Sequence, residues 1–205
     1  MTAKLVGVDP SAGYVQHVRQ RTGDHRADFL IGDAHKLEFA DGTFDVVVSG
    51  LVLNFLSDRH QALGEMKRVA REGGTVAAYV WDYPGQMQLM KYFWDTACDL
   101  DPAAGQLHEG RRFSFCQPDV LAAMFTAANL GNIETTAIVV PTCFADFADY
   151  WGPFLGGQAP APSYAMSLDD DRCLALREAI RSRLPAGADG SIALTARAWA
   201  IHGRA

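Results

Sequence analysis

Cysteine is scarce and scattered. The four residues, Cys98, Cys116, Cys143 and Cys173, form no CxxC pair, and no histidine completes a zinc spacing with them. They read as reduced thiols, so the sequence points to a cytoplasmic protein with no metal site. Long apolar runs are missing too: none approaches the roughly 20 residues that a membrane span needs. The N-terminus shows no signal-peptide core. Positive charge is not in excess, with 18 Lys and Arg against 24 Asp and Glu and a formal net charge of -6. That balance argues against a general nucleic-acid binder, which carries a basic patch. No GxGxxG loop, internal repeat or low-complexity segment occurs.

What the chain does have is enough length, 205 residues with 49% hydrophobic, for one domain with a sizeable core or a domain plus a small cap. Its centre of organisation is Gly32 to Gly50, GDAHKLEFADGTFDVVVSG. A strand ends in Gly-Asp-Ala, a polar loop carries Asp41-Gly42, and a second apolar strand ends in two small residues. Strands with small or acidic tips form one side of a nucleotide-like site outside the carboxyl ends of a parallel sheet.

Taken in order, Lys4 to Val8 reads as a buried strand ending at Asp9-Pro10-Ser11. Pro10 stops the ladder and Ser11 can cap the helix that follows. An acid at such a tip can accept from the two hydroxyls of a ribose, or can simply cap the helix. Ala27 to Ile31 is the next strand, with Asp33 at its tip. In Phe44 to Ser49 the Val46-Val47-Val48 run lacks alternation, which predicts a strand buried on both faces. Residues 58–71 have the apolar spacing of a helix, closed by Glu72-Gly73-Gly74, and Thr75 to Trp81 is a further strand. Helices are expected over 86–100, from Pro118, and over 169–183, with strands over 133–140 and 193–202. In the last strand Ala196, Ala198 and Ala200 alternate against Arg197, Trp199 and Ile201. Residues 144–163 place aromatics beside a Gly/Pro-rich turn, as in a lid.

Three stretches, LVGVDPS, GDAHKLEFADGTFDVVVSGLVLNFL and VAREGGTVAAYVWDY, resemble the second to fifth strands of class I S-adenosylmethionine (SAM) dependent methyltransferases. The resemblance implies an α/β, Rossmann-like sheet, mostly parallel, with an antiparallel C-terminal strand and a helical cap. It divides the chain into a methyltransferase-like domain (1–144 plus 191–205) and a cap (145–190). It implies that Asp9 holds the SAM ribose, with Pro10 and Ser11 shaping that turn. Asp33 accepts from the adenine amino group, with Ala34 beside it. Ser49 and Gly50 lie along the methionine part, with Leu51 and Leu53 flanking the same pocket. The expected partner is a small-molecule acceptor, with neither nucleic acid nor membrane involved, and with a homodimer as an option.

The chain departs from the family at its start. The family's first strand and glycine-rich loop are absent, so the sheet is expected to be incomplete at the N-terminus, lacking a strand between its second and fourth. A longer natural protein, a strand supplied by a second chain, or closure of the gap are the three ways out, the first being preferred. Methyl transfer is an in-line displacement that needs alignment more than a fixed catalytic residue. Asp82 and Tyr83, at the carboxyl end of a strand, are the first candidates for a base, ahead of His35, His60 and Tyr150. Phe144, Phe147, Tyr150, Trp151 and Phe154 either line an apolar acceptor pocket or only pack the cap. The rival readings are a non-catalytic SAM-fold binding or partner subunit, and a nicotinamide-dependent oxidoreductase.

Overall fold

The computed structural model describes residues 3–156 and 159–205. In chain order the elements are β1 (Leu5–Asp9), α1 (Ala12–Arg21), β2 (Ala27–Ile31), β3 (Phe44–Gly50), α2 (Arg59–Val69), β4 (Ala70–Trp81), α3 (Gln88–Leu100), α4 (Glu109–Arg112), α5 (Pro118–Ala127), β5 (Gly131–Phe144), α6 (Phe147–Trp151), α7 (Pro160–Ser167), α8 (Asp170–Arg183) and β6 (Ile192–Arg204). Short 3-10 turns lie at Leu53–Phe55, Pro102–Gln106 and Gly152–Leu155. Contacts divide the chain into two compact units. The first runs to Ala78 and adds 123–134 and 202–205; the second holds 79–122 and 135–201. The sheet strands β4, β5 and β6 contribute residues to both.

In the first unit β1 and β2 pair in parallel, Leu5 opposite Ala27 and Asp9 opposite Ile31. Ser11 caps α1, its hydroxyl accepting from the Tyr14 N–H at 3.3 Å. Asp58 caps α2 in the same way through the Gln61 N–H. The expected inner face of α2, Ala62, Leu63, Met66 and Val69, is buried. The helix stops at Val69, earlier than the glycine pair suggests, because Gly73 and Gly74 pair with the chain end inside β4. Gly73 N–H donates to the Ala205 carbonyl, and Ala205 N–H to that of Gly74. Gly73 sits at φ +68°, a conformation that favours glycine.

The strands form a two-stranded sheet, β1-β2, and a four-stranded sheet in the order β3-β4-β6-β5, antiparallel towards the C-terminus. The two sheets are separate, and among the described residues no strand joins them; the resemblance puts the absent strand between β1 and β3. This break corrects the expectation for Val46-Val47-Val48. Val46 and Val48 are 56% and 57% exposed, because β3 ends its sheet and lacks the neighbour that would flank it. In β6 the inward face runs Ile192, Leu194, Ala196, Ala198, then shifts to Ile201, which is buried against the simple alternation.

The loop between β2 and β3 is strapped to α2 by one arginine. Arg68 uses all its donors: on the carbonyls of Leu37 and Phe39, on Asp41 at 2.7 Å, and on both oxygens of Glu65. Glu65 also accepts from the Leu37 N–H at 2.8 Å. The Arg68 hydrogen bond holds the Glu65 carboxyl below its ordinary range against a smaller effect of burial.

The second unit is built on aromatic packing. Phe93 and Trp94 of α3 are fully buried, and Phe93 stacks on Phe154 with centroids 4.5 Å apart. Leu176 and Ile180 of α8 close the same core. The turn after β4 is tied by Asp82, whose side chain is fully buried. Its carboxylate accepts from the N–H groups of Gly85 and Gln86, from the Gln117 side chain and from Arg197, at 2.6 Å from Nη2. A Cβ at Gly85 would stand 2.3 Å from Asp82 Oδ2, so only glycine fits there.

Three outcomes are expected. The β3 amides facing away from β4 should exchange with deuterium about 100-fold or more faster than those of Val76–Val80, read by hydrogen exchange. Replacing Asp82 by Asn leaves Arg197 without its counter-charge and should lower unfolding stability by about 3–5 kcal/mol, measured in urea. Glu65 stabilises the fold above its unfolded pKa of about 4.3, and that contribution is lost as pH falls through its lower folded value. The stability gap between the wild type and Glu65→Gln should therefore be constant near neutrality and shrink below about pH 4.

Candidate functional site

The parallel register of β1 and β2 places two carboxylates on adjacent strand tips. Asp9 ends β1, and Gly32 donates its N–H to the Asp9 carbonyl at 3.2 Å, which sets Asp33 beside it. A Cβ at Gly32 would meet Val8 at 2.8 Å, so glycine permits this closeness. One Asp9 oxygen accepts from the Ser11 N–H at 2.8 Å, the turn that Pro10 opens. The Asp33 side chain is exposed and Ala34 half-buried.

His35 has both ring nitrogens engaged. Its Nε2 accepts from the Asp58 N–H at 3.2 Å, so Nδ1 carries the proton and donates to Asp33 Oδ1 at 2.6 Å. The ring thus pins the Asp33 turn to the start of α2. Together with the His35 backbone N–H, it holds the Asp33 carboxyl below its ordinary range.

At the tip of β3, Ser49 is half-buried and Gly50 exposed, and Leu51 turns through φ +56°. A non-glycine residue there is strained, and such strain concentrates at ligand sites. The following turn buries Leu53 completely and Asn54 to 3% exposure. Among the described residues the Asn54 side-chain nitrogen has no hydrogen-bond partner. Buried donors are nearly always paired, so this one stands ready for a polar ligand group.

In the second unit the two candidate bases differ. Every direction around the Asp82 carboxylate is occupied by the donors described above. Tyr83 is 8% exposed and its phenol is pushed well above its ordinary range, mainly by burial, which leaves it a hydrogen-bond donor. It lines a cavity of about 200 Å³ together with Trp81, Met87, Met90, Glu109 and Phe154. Of the aromatic group near residue 150, Phe154 alone reaches this cavity. Phe147, Tyr150 and Trp151 are buried in the core, Tyr150 donating to the Leu89 carbonyl at 3.0 Å. His60 is exposed on α2.

The acceptor set at the strand tips suits the adenosine half of SAM. Two carboxylates on neighbouring tips match ribose hydroxyls and an adenine amino group, and the unpaired Asn54 N–H matches a carboxylate. Asn54 and Glu109 were not singled out from sequence. An Asn in an apolar run and a Glu in a polar loop carry no periodic signal, and only burial distinguishes them. Among the described residues no His/Cys/Asp/Glu cluster could hold a metal, and no helix is long and apolar enough to cross a membrane. Among the described residues the four cysteines form no disulfide.

Comparison with known proteins bears on this arrangement. Residues 1–78 match a family described as a methyltransferase domain. A demethylmenaquinone methyltransferase of Roseiflexus sp. (strain RS-1) is 33% identical over 138 residues, 62% of this chain and 58% of that protein. The ubiquinone/menaquinone biosynthesis C-methyltransferase of Desulfotalea psychrophila is 25% identical over 160 residues, 73% of this chain and 63% of that protein. The chain thus spans less than two thirds of either relative.

Among solved structures, a Bacillus halodurans C-125 protein aligns with TM-score 0.60 at 14% identity, covering 98% of this chain and 82% of its own. The YcgJ protein of Bacillus subtilis aligns with TM-score 0.56 at 20% identity, with the same coverage. The [4+2]-cyclase SpnF shares the fold as well, with TM-score 0.50 at 17% identity over 98% of this chain and 67% of its own. Residues 1–78 therefore resemble the methyltransferase-domain family, and the chain shares its Rossmann-like fold with these solved structures.

Proposed function

We propose that this chain carries the binding machinery of a SAM-dependent methyltransferase acting on a small-molecule acceptor. The observation that carries the reading is the pair of carboxylates, Asp9 and Asp33, on adjacent parallel strand tips in the segment that matches the family. Asp9 accepts from the ribose hydroxyls while Pro10 and Ser11 fix its turn. Asp33, oriented by His35, accepts from the adenine amino group, and Ala34 offers its backbone beside it. Ser49, Gly50 and Leu51 border the amino-acid part, and Asn54 donates to its carboxylate. When bound, SAM supplies a methyl group on a sulfonium.

The rest is alignment and exclusion of water, for which a largely apolar acceptor cavity serves. Asp82 is a positioning residue: it fixes the turn that presents Tyr83, and Tyr83 donates a hydrogen bond to the acceptor. The relatives named for demethylmenaquinone and ubiquinone/menaquinone methylation support a quinone-like, aromatic acceptor. The fold alone does not dictate methyl transfer, since a cyclase shares it.

A second reading, a SAM-fold partner subunit, draws on the open break between β1 and β3. Calorimetric titration of S-adenosylhomocysteine separates the two. The methyltransferase reading expects binding, weakened roughly tenfold or more by Asp9→Asn and by Asp33→Asn. A folded chain that binds none supports the partner-subunit reading.

A further inference from the structure

Glu109 is the feature of the second unit that the fold does not use up. It opens α4 at 5% exposure, and one oxygen accepts from the Trp94 indole N–H at 2.9 Å. Trp94 is itself fully buried, so this bond holds the carboxyl in place. His108 caps the same turn, its Nδ1 accepting from Gly110 at 3.0 Å, and its ring stacks on Trp94. Among the described residues Glu109 makes no ion pair, and it stands on the wall of the 200 Å³ cavity. A buried carboxyl without an ion pair is costly unless a donor meets it. Burial pushes this carboxyl above its ordinary range, against the opposing Trp94 hydrogen bond and the Arg112 charge.

The other walls include Trp81, Tyr83, Met87, Met90 and Phe154. Flat rings and polarisable sulfur suit the faces of a planar aromatic guest. The volume falls below the about 300–1,000 Å³ of pockets for drug-sized ligands, which limits the guest to one or two fused rings. Apart from Glu109 and Tyr83 the named walls are apolar and offer a cation nothing to replace its water, whereas a neutral hydroxyl needs only the one acceptor.

We propose that this cavity binds a one- or two-ring aromatic acceptor bearing a hydroxyl group, and that Glu109 accepts the hydrogen bond of that hydroxyl. The assignment of the guest as methyl acceptor rests on the methyltransferase reading; the cavity's preference for such a guest is tested without it.

The test is calorimetric titration of the whole chain with 2-naphthol, naphthalene and the cation tryptamine. The expected result is 2-naphthol bound about ten- to a hundredfold more tightly than naphthalene, a preference that Glu109→Gln abolishes. Gln keeps an acceptor for Trp94, so that variant should fold. Met90→Trp, which fills the cavity, should remove binding of both neutral probes. Equal binding of 2-naphthol and naphthalene, an unchanged preference in Glu109→Gln, binding that survives Met90→Trp, or tighter binding of tryptamine would each overturn the proposal. S-Adenosylhomocysteine titration of the same samples separates the two readings: loss of that binding alone sinks the methyltransferase reading and leaves the cavity assignment standing.

Discussion

The second unit depends on one buried ion pair. Asp82 and Arg197 meet at 2.6 Å with the carboxylate fully removed from water. Such a pair adds little net stability over an apolar substitute, yet breaking it by removing one partner is severe. Its effect is therefore geometric. Asp82 gathers two backbone N–H groups, a glutamine and an arginine, and so joins the end of β4, the approach to α3 and a residue of β6 in one knot. The cavity walls at Trp81, Tyr83 and Met87 are all within a few residues of it. Gly85 belongs to the same constraint, since any side chain there would collide with the carboxylate.

The first unit has a counterpart in Arg68, which is softer because it is partly exposed. It supplies donors to the carbonyls of a loop that lacks a ladder of its own. A loop with unpaired carbonyls would otherwise look to water for them. By tying that loop to α2, Arg68 sets where β3 begins relative to β2, and so how the strand tips are spaced. His35 performs a similar task at the other end of the loop, through two hydrogen bonds that fix its tautomer.

Much of this was legible in the sequence because it rests on short-range rules. Ser11 caps its helix as its position suggests, and Pro118 opens α5. Asp9 and Asp33 fall on strand tips because the runs before them are the right length for strands. What the sequence hid depends on contacts far apart in the chain. Gly73 and Gly74 looked like a helix end, and the distant Ala205 draws them into a strand. Ile201 looked outward by alternation and is buried by a shift of register. Val46 and Val48 looked doubly buried because their composition suits a sheet interior, whereas the described chain leaves them at a sheet end. Asn54 and Glu109 are polar residues whose meaning comes only from being enclosed.

The break between β1 and β3 has a consequence for handling the protein. Each strand presents a row of backbone donors and acceptors beside exposed aliphatic side chains, Leu5 on one and Val46 and Val48 on the other. Bare strand edges template pairing with other chains. The colloidal behaviour of this polypeptide is thus coupled to its topology. Edges of this kind favour association that grows with concentration, and association of that kind makes an apparent melting temperature depend on concentration. A peptide or protein segment that occupies the slot would act as a solubility factor as much as a structural one.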